Sequence, residues 1–165
     1  MRPVRPTSAK VLQALFNILG PIQGMAFLDL FAGTGRVACE AWRRGARPVY
    51  AVELLRGRCE DLRPLGKQDE LHVWFLDVRK ALGRLQARQI RFDVVFLDPP
   101  YGAQWVTLLI PLLASHRPLF HERTRIVLER SLRESLPEDL SGLALQEERH
   151  YGETVLTFLG PSFSA

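Results

Sequence analysis

Apolar residues in this chain come in two rhythms. Residues 7–19, TSAKVLQALFNIL, put Val11, Leu12, Leu15, Phe16 and Leu19 on one helical stripe, which predicts an amphipathic helix. Pro6, Thr7 and Ser8 supply its start and Gly20-Pro21 its stop. Then come dense apolar runs of strand length: MAFLDLF (25–31), PVYAVE (48–53), LHVWFLD (71–77), FDVVFLD (92–98) and TRIVLER (124–130). Helical segments are expected between them. One follows AGTG to about Arg44, where Gly45 can end it in the left-handed conformation. A second reaches about Arg63, VRKALGRLQA is a third, and 104–115 is a fourth that Pro111 should kink or split.

Strand and helix in alternation imply a parallel sheet covered on both faces. The ending breaks the alternation. LALQEERHYG and ETVLTFLG meet at Tyr151-Gly152-Glu153 with no helix between them, a connection that suits only antiparallel strands. The expected fold is therefore α/β: a doubly wound, mostly parallel, seven-stranded Rossmann-like sheet that closes with an antiparallel hairpin.

Composition narrows the picture modestly. At 165 residues the chain is expected to be one domain, with a helical segment at about 7–19 and a catalytic core from about 25 onward. The opening MRPVRPTSAK has no apolar core and does not read as a secretory signal, and no apolar run has membrane-span length. Cys39 and Cys59 stand outside any metal-like or CxxC spacing, so they read as reduced cysteines of a cytoplasmic protein. The scattered histidines, His116 and His121 included, suggest no metal site. The net charge is +4 and uneven, with eight basic side chains between Arg36 and Lys67 against four acids. That favours a polyanionic partner without demanding one.

The candidate chemistry gathers at strand ends, where doubly wound sheets bind their ligands. Asp29, Glu53, Asp77 and Asp98 fall at or near the ends of the first four strands. Four acids on one edge repel one another unless donors and positive charge sit among them. Phe31, Gly33 and Gly35 lie in the turn after the first strand, where glycine lets backbone amides approach a ligand. Glu53 follows Gly35 by 18 residues, a place from which an acid can hold ribose hydroxyls. A nicotinamide site is the obvious alternative. Asp29, however, stands upstream of the glycines, where it would repel a pyrophosphate and attract an ammonium. S-adenosylmethionine fits better, with its amino group at Asp29, its ribose at Glu53 and its adenine at the Asp77 edge.

Its methyl would then face LDPPYG, residues 97–102. A nucleobase amine is a poor nucleophile because its lone pair is delocalised into the ring. Asp98 and the Pro99 carbonyl can each accept a hydrogen bond from that amine and draw the nitrogen toward a nucleophilic geometry. Pro99 and Pro100 fix φ and offer no competing amide donor. Tyr101 presents a flat face for a flipped base. Trp105 could flank that base, but packing as the first core contact of its helix is the plainer reading, and Trp42 and Trp74 read as core.

In order and spacing, RPTSAKVLQALFNIL, LDLFAGTG, AVE, LDPPYG and RHYGETVLTFL resemble the RsmD family. The resemblance implies a class I methyltransferase acting on guanine N2 of small-subunit (16S) ribosomal RNA, with ribosomal RNA or the small subunit as partner. The chain is expected to be a monomer with no metal and no membrane partner, and the resemblance assigns Thr7 and Ser8 to the cofactor pocket. Members usually carry a basic hairpin before the RPT segment, and in the first helix an acid, an Arg and a Glu where this chain has Ala9, Leu12 and Gln13. Grip on RNA is then expected from Arg2, Arg5, Lys10 and Arg36, with an assembled subunit preferred to a short oligonucleotide. The alternatives are another DPPY-type RNA or DNA amino-methyltransferase, or an RNA-binding module that keeps the fold without turnover.

Overall fold

The computed structural model describes residues 7–65, 67–102 and 104–163. Its strands are β1 (Phe27–Leu30), β2 (Val49–Val52), β3 (Leu71–Trp74), β4 (Phe92–Leu97), β5 (Phe120–Ser131), β6 (Leu143–Tyr151) and β7 (Thr154–Pro161). They form one seven-stranded sheet in the order β3-β2-β1-β4-β5-β7-β6. The first five run parallel, and β7 is antiparallel to both β5 and β6. The doubly wound sheet with a closing hairpin is as expected. Gly152, at φ +61, supplies the left-handed turn that lets β6 reverse into β7 within two residues.

Alternation along the strands builds two cores. Leu28, Leu30, Val95, Leu97, Ile126 and Leu128 pack one way, toward α3 (Val78–Ala87) and α4 (Trp105–Ser115). Phe27, Val94, Phe96 and Val127 pack the other way, toward α1 (Ala9–Leu19) and α2 (Arg36–Arg43). Both faces of the parallel region are buried, which is why its strands read as unbroken apolar runs. Arg125 reaches off the sheet to donate to the carbonyls of Ile18 and Leu19, satisfying the last turn of α1.

Three local expectations change. The segment after β2 is not an α-helix; it holds a 3-10 helix at Glu60–Leu65. Gly57 at φ +90 and Pro64 both work against a helical run there, and Leu54 stays 62% exposed instead of joining the core. Pro111 does not split α4, which runs continuously through it. β5 begins four residues earlier than expected, because Phe120 pairs with Phe92 across an irregularity in the β4–β5 ladder. That extension places His121 Nε2 within hydrogen-bonding distance of Asp93 Oδ1, at 2.9 Å. Among the described residues no group of His, Cys, Asp and Glu could hold a metal, and no helix is long and apolar enough to cross a membrane.

The switch in winding falls between β1 and β4, the two strands whose ends open on a common crevice. Gly35, just before α2, lies at its base with φ +87, and a Cβ there would come within 2.5 Å of the Leu62 side chain. Gly35→Ala is expected to cost about 1–3 kcal/mol through backbone strain and overpacking. Gly83→Ala, in the exposed interior of α3 with nothing within 4 Å of the new methyl, should instead stabilise by about 0.5–1 kcal/mol. Urea unfolding of the two variants checks the contrast.

Candidate functional site

A cavity of about 580 Å³ opens at the switch point. This lies within the range of small-molecule sites. Its walls include the strand-end acids Asp29, Glu53, Asp77 and Asp98, together with Phe31, Gly33, Pro99, Pro100 and Tyr101. Thr7 also reaches the wall, carried there by the segment before α1. Gly35 and Ser8 do not line it. Gly35 packs against Leu62 behind the wall, and Ser8 is the N-cap of α1, accepting from the Val11 amide at 3.2 Å. Arg2 and Arg5 lie outside the described residues. Lys10 is exposed on α1, whereas Arg36 lines the cavity and donates to the Thr7 carbonyl at 2.9 Å, pinning that segment to α2.

Each acid is held differently. Asp29 is 1% exposed and accepts from the Ala38 amide at 3.1 Å, so the first strand is tied to the first turn of α2. Burial, reinforced by the charges of Glu53 and Glu129, pushes its carboxyl well above the usual range. Glu53 is 5% exposed. Its Oε2 accepts from the Gly33 amide at 2.8 Å and its Oε1 from the Leu55 amide at 3.0 Å, with Arg58 at 3.6 Å. The acid therefore organises the glycine turn it faces. A carboxylate has about four acceptor positions, so two backbone donors leave room for ligand hydroxyls. Asp77 is the N-cap of α3, accepting from the Arg79 amide at 2.9 Å, and stays partly open to solvent.

The DPPY segment is fastened from both sides. Tyr101 hydrogen-bonds the Thr154 side chain of β7, and burial pushes its hydroxyl pKa up. The Gly102 amide donates to Glu134 Oε1 at 3.3 Å, and Glu134 Oε2 accepts from the Ser131 amide at the end of β5. Trp105 packs its ring edge-on against Phe31 at 5.0 Å, with the Arg79 guanidinium 5.4 Å from its centroid. It joins the core as expected and lines the cavity as well. Trp42 and Trp74 pack on the two cores.

One acid escaped the sequence reading. Glu129, 5% exposed near the end of β5, lines the same cavity. Leu128 pairs with Leu97 in the parallel ladder, so Glu129 follows beside Asp98. Burial first, then the charges of Glu129 and Asp29, raise the Asp98 carboxyl well above its ordinary value. Glu129 itself is pushed by burial to about 7. The Thr7 hydroxyl lies within reach of both carboxyls and lowers the pKa of whichever one receives its single proton. The signal was present in TRIVLER, whose acid repeats the strand-end position of the other four. Arg130 turns away to Glu148 at 2.5 Å and to Thr157 at 3.0 Å.

Known proteins resemble the chain over nearly all its length. The family model described as conserved hypothetical protein 95 matches residues 1–160. YlbH of Bacillus subtilis (strain 168), provisionally named an rRNA methyltransferase, is 33% identical over 158 residues, or 91% of this chain and 84% of its own. Ribosomal RNA small subunit methyltransferase D of Haemophilus influenzae is 35% identical over 122 residues, or 68% of this chain and 61% of its own. A solved hypothetical protein of Thermus thermophilus superposes with a TM-score of 0.78 at 32% identity, covering 93% of this chain and 86% of its own.

The raised Glu129 carboxyl has a consequence for stability. A folded-state pKa above the unfolded value contributes stability that is complete below the unfolded pKa and lost as pH rises through the folded one. For Glu129 that window runs from its ordinary 4.5 to about 7. Glu129→Gln should remove this loss, so its stability relative to the parent should improve by about 3 kcal/mol between pH 4.5 and pH 8. Denaturant midpoints at the two pH values measure it.

Proposed function

Because this chain belongs to the conserved hypothetical protein 95 family, whose members here are RsmD-like, we propose that it methylates guanine N2 of small-subunit ribosomal RNA using S-adenosylmethionine. The observation that carries this reading is the union of two half-sites in one cavity. The glycine turn with Asp29 and Glu53 lies on one side of the switch point, and Asp98-Pro99-Pro100-Tyr101 on the other.

The residues suit that cofactor. Five acids line the cavity against Arg36 and Arg58, a field that welcomes an ammonium and a sulfonium and disfavours a pyrophosphate. This argues against a nicotinamide cofactor, as does the lack of a dehydrogenase-like His or Tyr-x-x-x-Lys arrangement in the sequence. Asp29 would hold the amino group and Glu53 the ribose hydroxyls, with Phe31, Gly33 and Thr7 forming the surrounding wall. Asp77 keeps acceptor capacity beside its helix-capping bond and would take the adenine edge. When bound, the cofactor supplies an electrophilic methyl.

The protein's own part is to make the base amine a nucleophile. Asp98 accepts one amine hydrogen and the Pro99 carbonyl the other, which withdraws the nitrogen lone pair from ring conjugation. Asp98 must be ionised for this, and its raised pKa means that a cation entering the cavity helps to put the charge there. Asp98 is also the nearest acceptor for the proton that leaves the nitrogen as the N–C bond forms. Tyr101, held by Thr154, offers its face to the flipped base, while Pro100 stiffens the turn that carries it.

A second reading, an RNA-binding module without turnover, has less support, since the cavity is lined by the acids and the DPPY segment that the transfer would need. Calorimetry should show binding of S-adenosylmethionine and S-adenosylhomocysteine and none of NAD; the reverse result would defeat the cofactor assignment. Asp98→Ala should abolish single-turnover methylation and leave cofactor affinity within a few-fold. Glu53→Ala should weaken the cofactor by about 1.5–3 kcal/mol through lost hydroxyl bonds, and an unchanged dissociation constant would rule out the ribose role. Tyr101→Phe should be mild, losing one hydrogen bond to Thr154, and Tyr101→Ala severe, losing about 1–3 kcal/mol of stacking. Equal damage from both would mean that the hydroxyl is needed for turnover.

A further inference from the structure

The strand-end acids divide according to their side of the switch point. Asp29, Glu53 and Asp77 stand on β1, after β2 and after β3, the half assigned above to the cofactor. Asp98 closes β4, and Glu129 stands on β5, which flanks β4 on the side away from β1. Glu129 therefore faces the substrate half of the cavity. Its Oε2 is buried and has no hydrogen-bond partner among the described residues. Buried carboxylate oxygens are rarely left without a donor, and this one lies in the wall of a cavity that a ligand is built to enter.

We propose that Glu129 reads the target base as guanine, accepting the ring N1–H at Oε2 while the neighbouring N2 amine lies against Asp98. This rests on the function proposed above and names the residue that sets its specificity. Adenine, cytosine and guanine all carry an exocyclic amine, but only guanine has a ring N–H beside it. Adenine presents a bare N1 and cytosine a bare N3, and either would set a lone pair against the carboxylate. An acid at this position thus selects one amine-bearing base and penalises the other two. The discrimination comes from the leftover acceptor as much as from the bond formed.

The groups bearing on Glu129 are Asp98 at the end of β4, Asp29 on β1, Tyr101 beyond β4 and the Thr7 hydroxyl before α1. Among the described residues, no cation joins them. Arg130, next in sequence, is committed to Glu148 and Thr157. A reader carboxylate must be ionised, so kcat/KM for RNA should rise as pH passes through about 7, where burial places the Glu129 titration, and level off above it.

Wild type, Glu129→Gln and Glu129→Asp can be compared for transfer of labelled methyl from S-adenosylmethionine to unmethylated small subunits, with nucleoside analysis of the product. Thermal melts confirm folding, and calorimetry gives cofactor affinity. Glu129→Gln should bind cofactor within about twofold of wild type and lose at least about tenfold in kcat/KM, as expected when a charged acceptor is replaced by a neutral one. Glu129→Asp should retain an intermediate rate and the pH-dependent rise. In Glu129→Gln the pH dependence should change, because the Glu129 titration is gone and Asp98 loses a like-charged neighbour that holds its pKa up. Wild-type kcat/KM in Glu129→Gln, or a matching loss of cofactor affinity, overturns the inference and leaves the proposed function standing. Absence of N2-methylguanine in the wild-type product removes the base itself and overturns both.

Discussion

Like-charged carboxyl groups buried within one cavity repel one another, and most of the structure above the sheet answers that repulsion. The parallel register makes the crowding unavoidable, because β1, β2, β4 and β5 deliver their carboxyl ends to one edge. Three of the acids are each given a donor from a different element: the α2 backbone serves Asp29, the glycine turn serves Glu53 and the first turn of α3 serves Asp77, while Asp98 and Glu129 share the single Thr7 hydroxyl. Loops fold as they do because these donors must reach their acceptors. What remains is an excess of negative charge and one acceptor unmet, which is a binding potential held ready for a cation and a donor-bearing base.

The same constraint explains why Thr7 matters although it lies outside the sheet. Its carbonyl is pinned by Arg36 and its hydroxyl lies beside the Asp98 and Glu129 carboxyls. The segment before α1 thereby becomes part of the cavity wall. Family resemblance had placed Thr7 and Ser8 together at the cofactor. In the structure the two divide the work: Thr7 faces the acids, and Ser8 caps the helix that positions it.

The fold was largely legible in the sequence because both faces of the parallel sheet are covered. Buried strands such as FDVVFL leave an apolar run that no surface element imitates, and the missing helix before ETVLTF announces the antiparallel close. What failed was local. Leu54 and Leu55 gave a helical impression after β2, yet they remain exposed beside the cavity while Gly57 and Pro64 break the helix. The acids at the ends of the first four strands were visible because their spacing follows the strand–helix rhythm. Glu129 was not, since only the fold shows β5 beside β4 with Arg130 turning away to β6 and β7 and the acid left at the cavity. The burial of Glu53 was equally hidden, because its partners Gly33 and Leu55 belong to loops whose course no periodicity predicts.

The central claim is that one cavity brings a methyl donor and a guanine amine together. It is tested most directly by incubating the protein and labelled S-adenosylmethionine with unmethylated small subunits, naked 16S RNA and duplex DNA, then digesting each to nucleosides. Label appearing as N2-methylguanine in ribosomal RNA is the predicted result. Label arriving mainly in DNA, or on adenine N6, would contradict it and leave only the amino-methyltransferase chemistry of Asp98 and its neighbours.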